Sequence, residues 1–288
     1  KSFQRYLKHI LKAHSLHSIH DVPSNKSKPI TQSKNIGRGL MQTNVALSED
    51  LLHHLTRREK KHARKLLRKN KGSFNIRHIE PKTRNQKLVF EAYKEGQNLL
   101  CHGVAGTGKT FLSIYLSLKD ILQRKYNQLV IVRSAVPTRD IGYLPGTQAA
   151  KTKVYEQPYS NIATELFNRG DAYENLKVRG MISFLPTSFI RGVTLDNSIV
   201  LVDECQNLTF HELDSIITRL GENSKIIFSG DFRQTDLQRD DEKQGLRMFM
   251  DVLNDMDIFS CIEFNQSDIV RSQLVRDYII TKLNYGLV

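Results

Sequence analysis

Six short apolar runs, separated by stretches with helical periodicity, set the strongest limit on how this chain can fold. In order they are NLLCH, LVIVRS, MISFL, SIVLVDE, KIIFSGD and CIEF. Continuous apolar runs between helices are typical of a parallel sheet that is covered on both faces. The sequence therefore predicts an α/β domain with a mainly parallel sheet and helices near 110–123, 152–169, 209–220, 243–253 and 268–283.

The 80 residues at the start of the chain differ from the rest in charge. They hold 18 Lys and Arg residues against five acidic ones, so they account for the whole net charge of +13. We predict a basic, helical and partly flexible N-terminal region at 1–79 and a folded domain at 80–288, with arm helices at 2–12 and 49–71 and a linker at 20–39. A basic arm attracts nucleic acid, although a solvated tail would have the same composition.

Cysteine usage and hydropathy limit the compartment. The cysteines Cys101, Cys205 and Cys261 lie far apart inside apolar runs, which predicts buried free thiols without a disulfide or a metal site. No apolar segment approaches the roughly 20 residues of a membrane-spanning helix, and the start does not resemble a signal peptide. We expect a soluble protein in the cytoplasm of a bacterium or a phage-infected host, with no membrane partner.

A glycine-rich segment between the first apolar run and the first helix predicts a phosphate site. The segment GVAGTGKT fits the pattern GxxxxGK[ST] in its strand-to-helix context. Its backbone N–H groups would converge on phosphate oxygens, Lys109 would neutralise the β- and γ-phosphates, and the Thr110 hydroxyl would bind Mg²⁺. A flexible turn that happens to contain Lys and Thr is the alternative. The predicted nucleotide contacts are Gly103, Ala105, Gly106, Thr107, Gly108, Lys109, Thr110 and Phe111.

Polar residues that follow two later apolar runs complete this site. Asp203 is placed to hold Mg²⁺ with Thr110, and Glu204 to orient an attacking water. Capping of the next helix is the alternative for both residues. Gln234 follows the fifth run and should reach the same carboxyl edge, where it could bond the γ-phosphate and the water. Alternatively, Gln234 is only a polar loop residue.

Six segments in this order resemble the PhoH family of P-loop ATPases, whose core is a RecA-like fold related to superfamily 1 helicases. They are EPKTRNQ, GVAGTGKT, VRSAVPTRDIGYLPG, SFIRGVTLDNSIVLVDECQN, SGDFRQTDL and DIVRSQLV, and the resemblance covers about residues 80–288. The resemblance implies that Gln86 reads adenine and that Gln206 completes a D-E-A-Q box with Asp203 and Glu204. It also implies that Arg271 stabilises the transferred charge, with ATP and Mg²⁺ as cofactors.

The chain departs from the family pattern in three ways. Cys205 replaces an alanine in the box, and Val193 stands where an arginine is usual, so a nucleic-acid or phosphate contact would be lost there. No nuclease domain or KH pattern is found. One RecA-like lobe leaves half of its nucleotide site open, and the family resemblance then predicts a homo-oligomer, a hexamer.

Cations alternate with tyrosines between the phosphate loop and the carboxylate box, a pattern that suits a single nucleic-acid strand. For any one of the tyrosines Tyr143, Tyr155 and Tyr159, packing is the simpler interpretation. We predict a helicase or translocase on RNA or single-stranded DNA. The alternatives are an ATP-regulated binding or scaffold protein and a small-molecule kinase, in which Glu204 and Gln234 would have no role. The predicted nucleic-acid contacts are Arg133, Arg139, Tyr143, Lys151 and Lys153.

Overall fold

The computed structural model describes residues 74–134 and 148–287, with the backbone alone for 148–152. The predicted arm helices and linker lie outside these residues, as do Arg139 and Tyr143. The described strands are β1 (Asn98–Gly103), β2 (Gln128–Arg133), β3 (Ile182–Pro186), β4 (Ser198–Asp203), β5 (Lys225–Gly230) and β6 (Phe259–Phe264). The helices are α1 (Arg84–Lys94), α2 (Lys109–Leu122), α3 (Gln148–Phe167), α4 (Ala172–Val178), α5 (Phe210–Ile217), α6 (Asp240–Asn254) and α7 (Gln273–Asn284).

All six predicted strands form, and they pair in one sheet in the order β3-β2-β4-β5-β1-β6. Each of the five pairings is parallel, which confirms the predicted sheet. Strand β5 lies between β1 and β4, so the loops that follow these three strands leave the same edge side by side. This carboxyl edge is where ligands of open α/β sheets bind.

Alternate strand residues face two layers of helices. One face contributes Leu99, Ile131 and Leu201 to a buried core that contains residues of α1, α2, α3 and α4. The opposite face carries Phe228, whose ring lies 5.2 Å from that of Phe249 on α6. Both faces of the central strands are therefore buried, and the domain has the RecA-like α/β fold.

The helices differ from the prediction at a few boundaries. Helix α1 was not predicted, although the Thr83 side chain caps it by accepting a hydrogen bond from the Gln86 N–H. Helix α4 was also missed, and α3 begins at Gln148, before the predicted start at 152. The last helix begins at Gln273 instead of 268, because a short 3₁₀ turn and extended backbone at Ile269 precede it.

The described residues test the predictions about free cysteines and about membrane-spanning helices. Cys101, Cys205 and Cys261 are free thiols, and the first two are buried. Across 74–134 and 148–287, none of the helices combines the length and the apolar character needed to cross a membrane.

Candidate nucleotide-binding site

The phosphate loop joins β1 to α2 and closes around its own lysine. Gly103 has no room for a side chain, because a Cβ would collide with the carbonyl oxygen of Phe264 on β6. Gly108 caps α2 with left-handed backbone at φ 86°. The Lys109 ammonium donates to the carbonyl oxygens of Gly103, at 2.7 Å, and Val104, at 2.9 Å. The lysine is thus held inside the loop, where a phosphate would accept its hydrogen bonds.

The charge of Lys109 is set by burial and by three carboxylates. Burial lowers the pKa of Lys109, whereas the carboxylates of Asp231, Glu204 and Asp203 raise it, and burial prevails. These carboxylates come from the ends of β4 and β5, so the strand order brings them to the phosphate loop. Arg133 also lies beside Glu204 and Asp203, so three acids against two cations leave negative charge that a further cation can balance.

Asp203 connects the box to the phosphate loop by a direct hydrogen bond. The Thr110 hydroxyl donates to Asp203 Oδ1 at 2.8 Å, and the Tyr159 hydroxyl donates to Asp203 Oδ2 at 2.8 Å. Burial and the neighbouring Glu204 raise the pKa of Asp203, while the two hydroxyl donors and the charge of Arg133 oppose this rise. A buried carboxylate therefore lies beside the hydroxyl that was predicted to share its metal.

The residues at this point fit Mg²⁺. Within the described ranges no group of three or more His, Cys, Asp and Glu side chains could hold a metal by itself. Mg²⁺ is usually held by one or two carboxylates together with substrate phosphates and water, and not by a cage of protein ligands. Thr110 and Asp203 are the residues that would hold it.

The structure rules out the capping alternative for Glu204. Glu204 precedes a 3₁₀ turn in left-handed backbone, at φ 52° and ψ 43°, and its side chain makes no capping bond. Helix α5 is capped instead by Thr209, in a capping box with Glu212. The Glu204 carboxylate accepts a hydrogen bond from Gln206 Nε2 at 2.7 Å. Its backbone strain is of the kind often found at functional sites.

Hydrogen bonds join the box to the residues after β5. The Asp231 N–H donates to Gln206 Oε1 at 3.1 Å, and Gln234 Nε2 donates to Asp231 Oδ2 at 2.9 Å. Gln206 fits there because Gly230 has no side chain, since a Cβ would lie 2.5 Å from Gln206 Oε1. Gln234 itself is exposed. The predicted water-orienting and γ-phosphate-sensing residues thus belong to one network.

Gln86 is buried, and both ends of its amide are bonded to protein. Its Nε2 donates to the carbonyl oxygen of Thr107 at 2.9 Å, and its Oε1 accepts from the Lys82 N–H at 2.8 Å. Gln86 therefore fixes the phosphate loop in the described conformation. Phe111, predicted as a nucleotide contact, is half-buried and packs against the core.

Arg271 lies against the phosphate loop of its own chain. The Val270 N–H donates to the Gly106 carbonyl oxygen at 3.1 Å, and a Cβ on Gly106 would lie 2.9 Å from Arg271 Cγ. The preceding turn is anchored to α1, because Asn85 Nδ2 donates to Asp268 Oδ2 at 2.7 Å. The geometry thus brings the predicted arginine to the loop without a second subunit.

Comparison with known proteins bears on the family. The family model for PhoH-like proteins matches residues 78–282. This chain belongs to the PhoH family. The PhoH-like protein of Synechocystis sp. is 36% identical over 199 residues, which cover 69% of this chain and 60% of that protein. The PhoH-like protein of Bacillus subtilis is 34% identical over 202 residues, or 70% of this chain and 63% of its own. The chain thus spans about 60% of the length of these relatives.

Among solved structures, the helicase domain of Pyrococcus furiosus Hef aligns with 65% of this chain and 39% of its own chain. The TM-score is 0.40 and the sequence identity is 13%. The fold assignment rests on the sheet topology of this chain itself.

The residues that are predicted to contact nucleic acid do not lie together in the structure. Arg133, half-buried at the end of β2, lies beside Tyr159, Glu204 and Asp203, in the nucleotide site. Lys153 is exposed on α3, whereas the Lys151 side chain lies outside the described residues, like Arg139 and Tyr143.

Two further positions differ from what the sequence suggested. Val193, where the family pattern favours arginine, is 7% exposed and belongs to the core. Tyr159 was considered only for nucleic-acid contact or packing, and its bond to Asp203 was missed. A tyrosine on a helical stretch carries no sequence signal for a carboxylate partner 44 residues away.

Proposed function

We propose that this PhoH-family protein binds ATP with Mg²⁺ at the carboxyl edge of its sheet, hydrolyses it, and acts on RNA or single-stranded DNA as a helicase or translocase. The observation that carries the proposal is the 2.8 Å hydrogen bond between Thr110 and Asp203. It joins the phosphate loop to the carboxylate box across the intervening strand β5. A loop or box that arose by chance would not bring these two groups together.

In phosphoryl transfer the protein mainly positions groups and neutralises charge. Lys109 and the N–H groups of the loop would receive the phosphate oxygens, and Glu204, oriented by Gln206, would hold the attacking water. Bound Mg²⁺ would neutralise charge on the β- and γ-phosphate oxygens. Arg271 would add positive charge from the same chain, close to Gly106.

The proposed nucleic-acid partner is supported by charge. The first 80 residues carry a net +13, and neutralising phosphates with such an arm makes affinity fall with salt. Deleting residues 1–72 should therefore flatten the plot of log affinity for single-stranded RNA against log salt concentration. An equal slope for both proteins would show that the arm makes no contacts with the nucleic-acid phosphates.

We also propose that a second copy of the chain covers helix α7, in a homo-oligomer that we expect to be a hexamer. This helix has no buried residue; Leu274 and Tyr278 on it are 81% and 68% exposed, and Tyr285, directly after it, is 75% exposed. It begins two residues after Arg271 and passes close to Gly106 of the phosphate loop at Ile279, so a neighbour on α7 would lie near the nucleotide. Light scattering after size exclusion should show an oligomer that Leu274→Glu dissociates. A wild-type monomer with full ATPase rate would contradict this proposal.

The proposed activity is tested by ATP hydrolysis rates with single-stranded RNA, single-stranded DNA, duplex and no nucleic acid. We expect Mg²⁺-dependent hydrolysis that a single strand stimulates. Glu204→Gln is the control, because it should bind ATP with wild-type affinity yet hydrolyse it at least about 100-fold more slowly. A wild-type protein that hydrolyses no ATP under any of these conditions would contradict the proposal. Strand displacement on a tailed duplex then distinguishes a helicase from an ATP-regulated binding protein.

A further inference from the structure

The carboxylate of Asp203 is held on both oxygens by hydroxyl groups. Thr110 donates to Oδ1 from the phosphate loop, and Tyr159 donates to Oδ2 from helix α3, each at 2.8 Å. Tyr159 has no exposed surface, and its ring lies 5.9 Å from that of Phe184 on β3. A hydroxyl on a rigidly packed ring is a precise hydrogen-bond donor, so the plane of the Asp203 carboxylate is fixed.

Arg133 extends this chain of contacts. The pairing of Val132 with Val202 brings the end of β2 beside the end of β4, so Arg133 lies next to Asp203. The Arg133 guanidinium lies close to the Tyr159 hydroxyl, Glu204 and Asp203, and the charges of these carboxylates raise the pKa of Arg133 against the effect of burial. The Tyr159 proton points to Asp203, to which the hydroxyl donates, so Arg133 and the tyrosine proton both act on the same carboxylate.

Resting on the function proposed above, we propose that Tyr159 and Arg133 are positioning residues for Mg²⁺. By occupying Oδ2, Tyr159 leaves Oδ1 on the side of Thr110, where the phosphates and their metal ion arrive. Mg²⁺ demands near-ideal octahedral geometry, so a carboxylate that rotates freely is a poorer ligand. Partners that orient a ligand typically change metal affinity by about 10- to 100-fold when they are removed.

A second tyrosine provides a matched control. Tyr173 is buried, and its hydroxyl donates at 2.9 Å to the carboxylate of Glu156, which lies on α3 like Tyr159. Glu156 also accepts from Lys177 at 2.6 Å, and no residue of the nucleotide site is among these hydrogen-bond partners. Tyr173→Phe therefore removes a comparable buried hydrogen bond from tyrosine to carboxylate and leaves the hydrogen bonds to Asp203 in place.

The test is a binding titration of the full chain with a fluorescent, non-hydrolysable ATP analogue, in EDTA and over a series of Mg²⁺ concentrations. For Tyr159→Phe we expect wild-type affinity in EDTA, within about twofold, and an increase of roughly tenfold in the Mg²⁺ concentration that gives half of the added affinity. Tyr173→Phe should match the wild type in both conditions. Arg133→Lys, which keeps the positive charge and removes the planar guanidinium, should shift the Mg²⁺ midpoint in the same direction by a few-fold.

The outcomes separate this inference from the function on which it rests. An unchanged Mg²⁺ midpoint in Tyr159→Phe, with Mg²⁺-dependent binding by the wild type, would overturn the positioning role alone. Should Tyr159→Phe not fold, an unchanged midpoint in Arg133→Lys would have the same meaning. Equal shifts in Tyr159→Phe and Tyr173→Phe would show a general loss of α3 packing and would also overturn it. A wild-type protein that binds no nucleotide would overturn the proposed function itself.

Discussion

Two lysines, Lys109 in the phosphate loop and Lys225 at the start of β5, have similar hydrogen bonds and burial but differ in the charges around them. Lys109 donates to two backbone carbonyl oxygens, at 2.7 and 2.9 Å, and its ammonium lies 5.9 Å from the centre of the Phe264 ring. Lys225, at the start of β5, donates to the carbonyl oxygens of Gln97, at 2.9 Å, and Tyr93, at 3.5 Å, and lies 4.6 Å from the Tyr93 ring. Burial lowers the pKa of both lysines.

The difference lies in the charges around them. Lys109 faces Asp231, Glu204 and Asp203, which still exceed the positive charges of Lys109 and the neighbouring Arg133. Lys225 has one carboxylate in its field, that of Asp120, and its ammonium ties the end of α1 to β5. A lysine among surplus acids on a glycine-rich loop suits a ligand that brings phosphate and a cation, whereas the other lysine stabilises the packing of a helix. Burial and hydrogen bonding alone do not distinguish the two.

The largest expected effect comes from exchanging these lysines for uncharged residues. Lys109→Ala should lower ATP turnover at least about 100-fold, because it removes a charge aimed at the transferred phosphate. Lys225→Met should leave turnover within about twofold, since Lys225 lies at the other edge of the sheet. Steady-state hydrolysis at saturating ATP and Mg²⁺ measures both. Near-normal turnover in Lys109→Ala would contradict the assignment of Lys109 to phosphate binding. The two lysines would then not differ in function.

A smaller effect is expected at Gln86, which the family resemblance assigns to adenine and the structure bonds to Thr107 and Lys82. Loss of these buried bonds costs about 1–3 kcal/mol, so Gln86→Ala should weaken binding of ATP and of GTP alike, by about tenfold. Equilibrium titration with both nucleotides measures this ratio. If only ATP binding weakened, Gln86 would read the base and would not act mainly through the loop.

How much of this could be predicted depends on whether a feature is local in sequence. The six strands and the phosphate loop carry their own signals, because apolar runs and the glycine pattern are continuous stretches. Helix α1 also had a local signal that was not used, since Thr83 followed by Gln86 three residues later is typical of a helix start. The contact between Thr110 and Asp203, the pair proposed to hold Mg²⁺, followed from parallel strands that end at one edge.

Arg133 and Tyr159 show what sequence patterns leave undetermined. Cations next to tyrosines suit a nucleic-acid strand and a nucleotide site equally well. Arg133 reaches Asp203 only because β2 pairs with β4, and Tyr159 reaches it only because α3 packs over the same face of the sheet. Strand order and helix placement are set by the packing of the whole domain, so no short motif encodes them.

The smallest expected effect is the contribution of Lys225 to the pH dependence of the free energy of unfolding. The pKa of Lys225 is lowered from the ordinary 10.5 to about 8 by burial, with Asp120 opposing. Between these values the unfolded chain binds more protons than the folded one, so this group makes the free energy of unfolding rise with pH. Below pH 8 both states are protonated, and the full cost of burying the charge is present. The rise should amount to at most about 1 kcal/mol per pH unit and be absent in Lys225→Met.

Urea unfolding of wild type and Lys225→Met from pH 7.5 to 10 measures this difference. The contribution of Lys109, whose pKa is lowered in the same direction, is common to both proteins and cancels. The range stops at pH 10 because burial raises the pKa of Tyr93, which makes ionisation of this tyrosine in the unfolded chain oppose folding at higher pH. Parallel curves for the two proteins would mean that Lys225 is as well solvated as a surface lysine. The surroundings of Lys109 and Lys225 would then differ in hydration as well as in the number of nearby carboxylates.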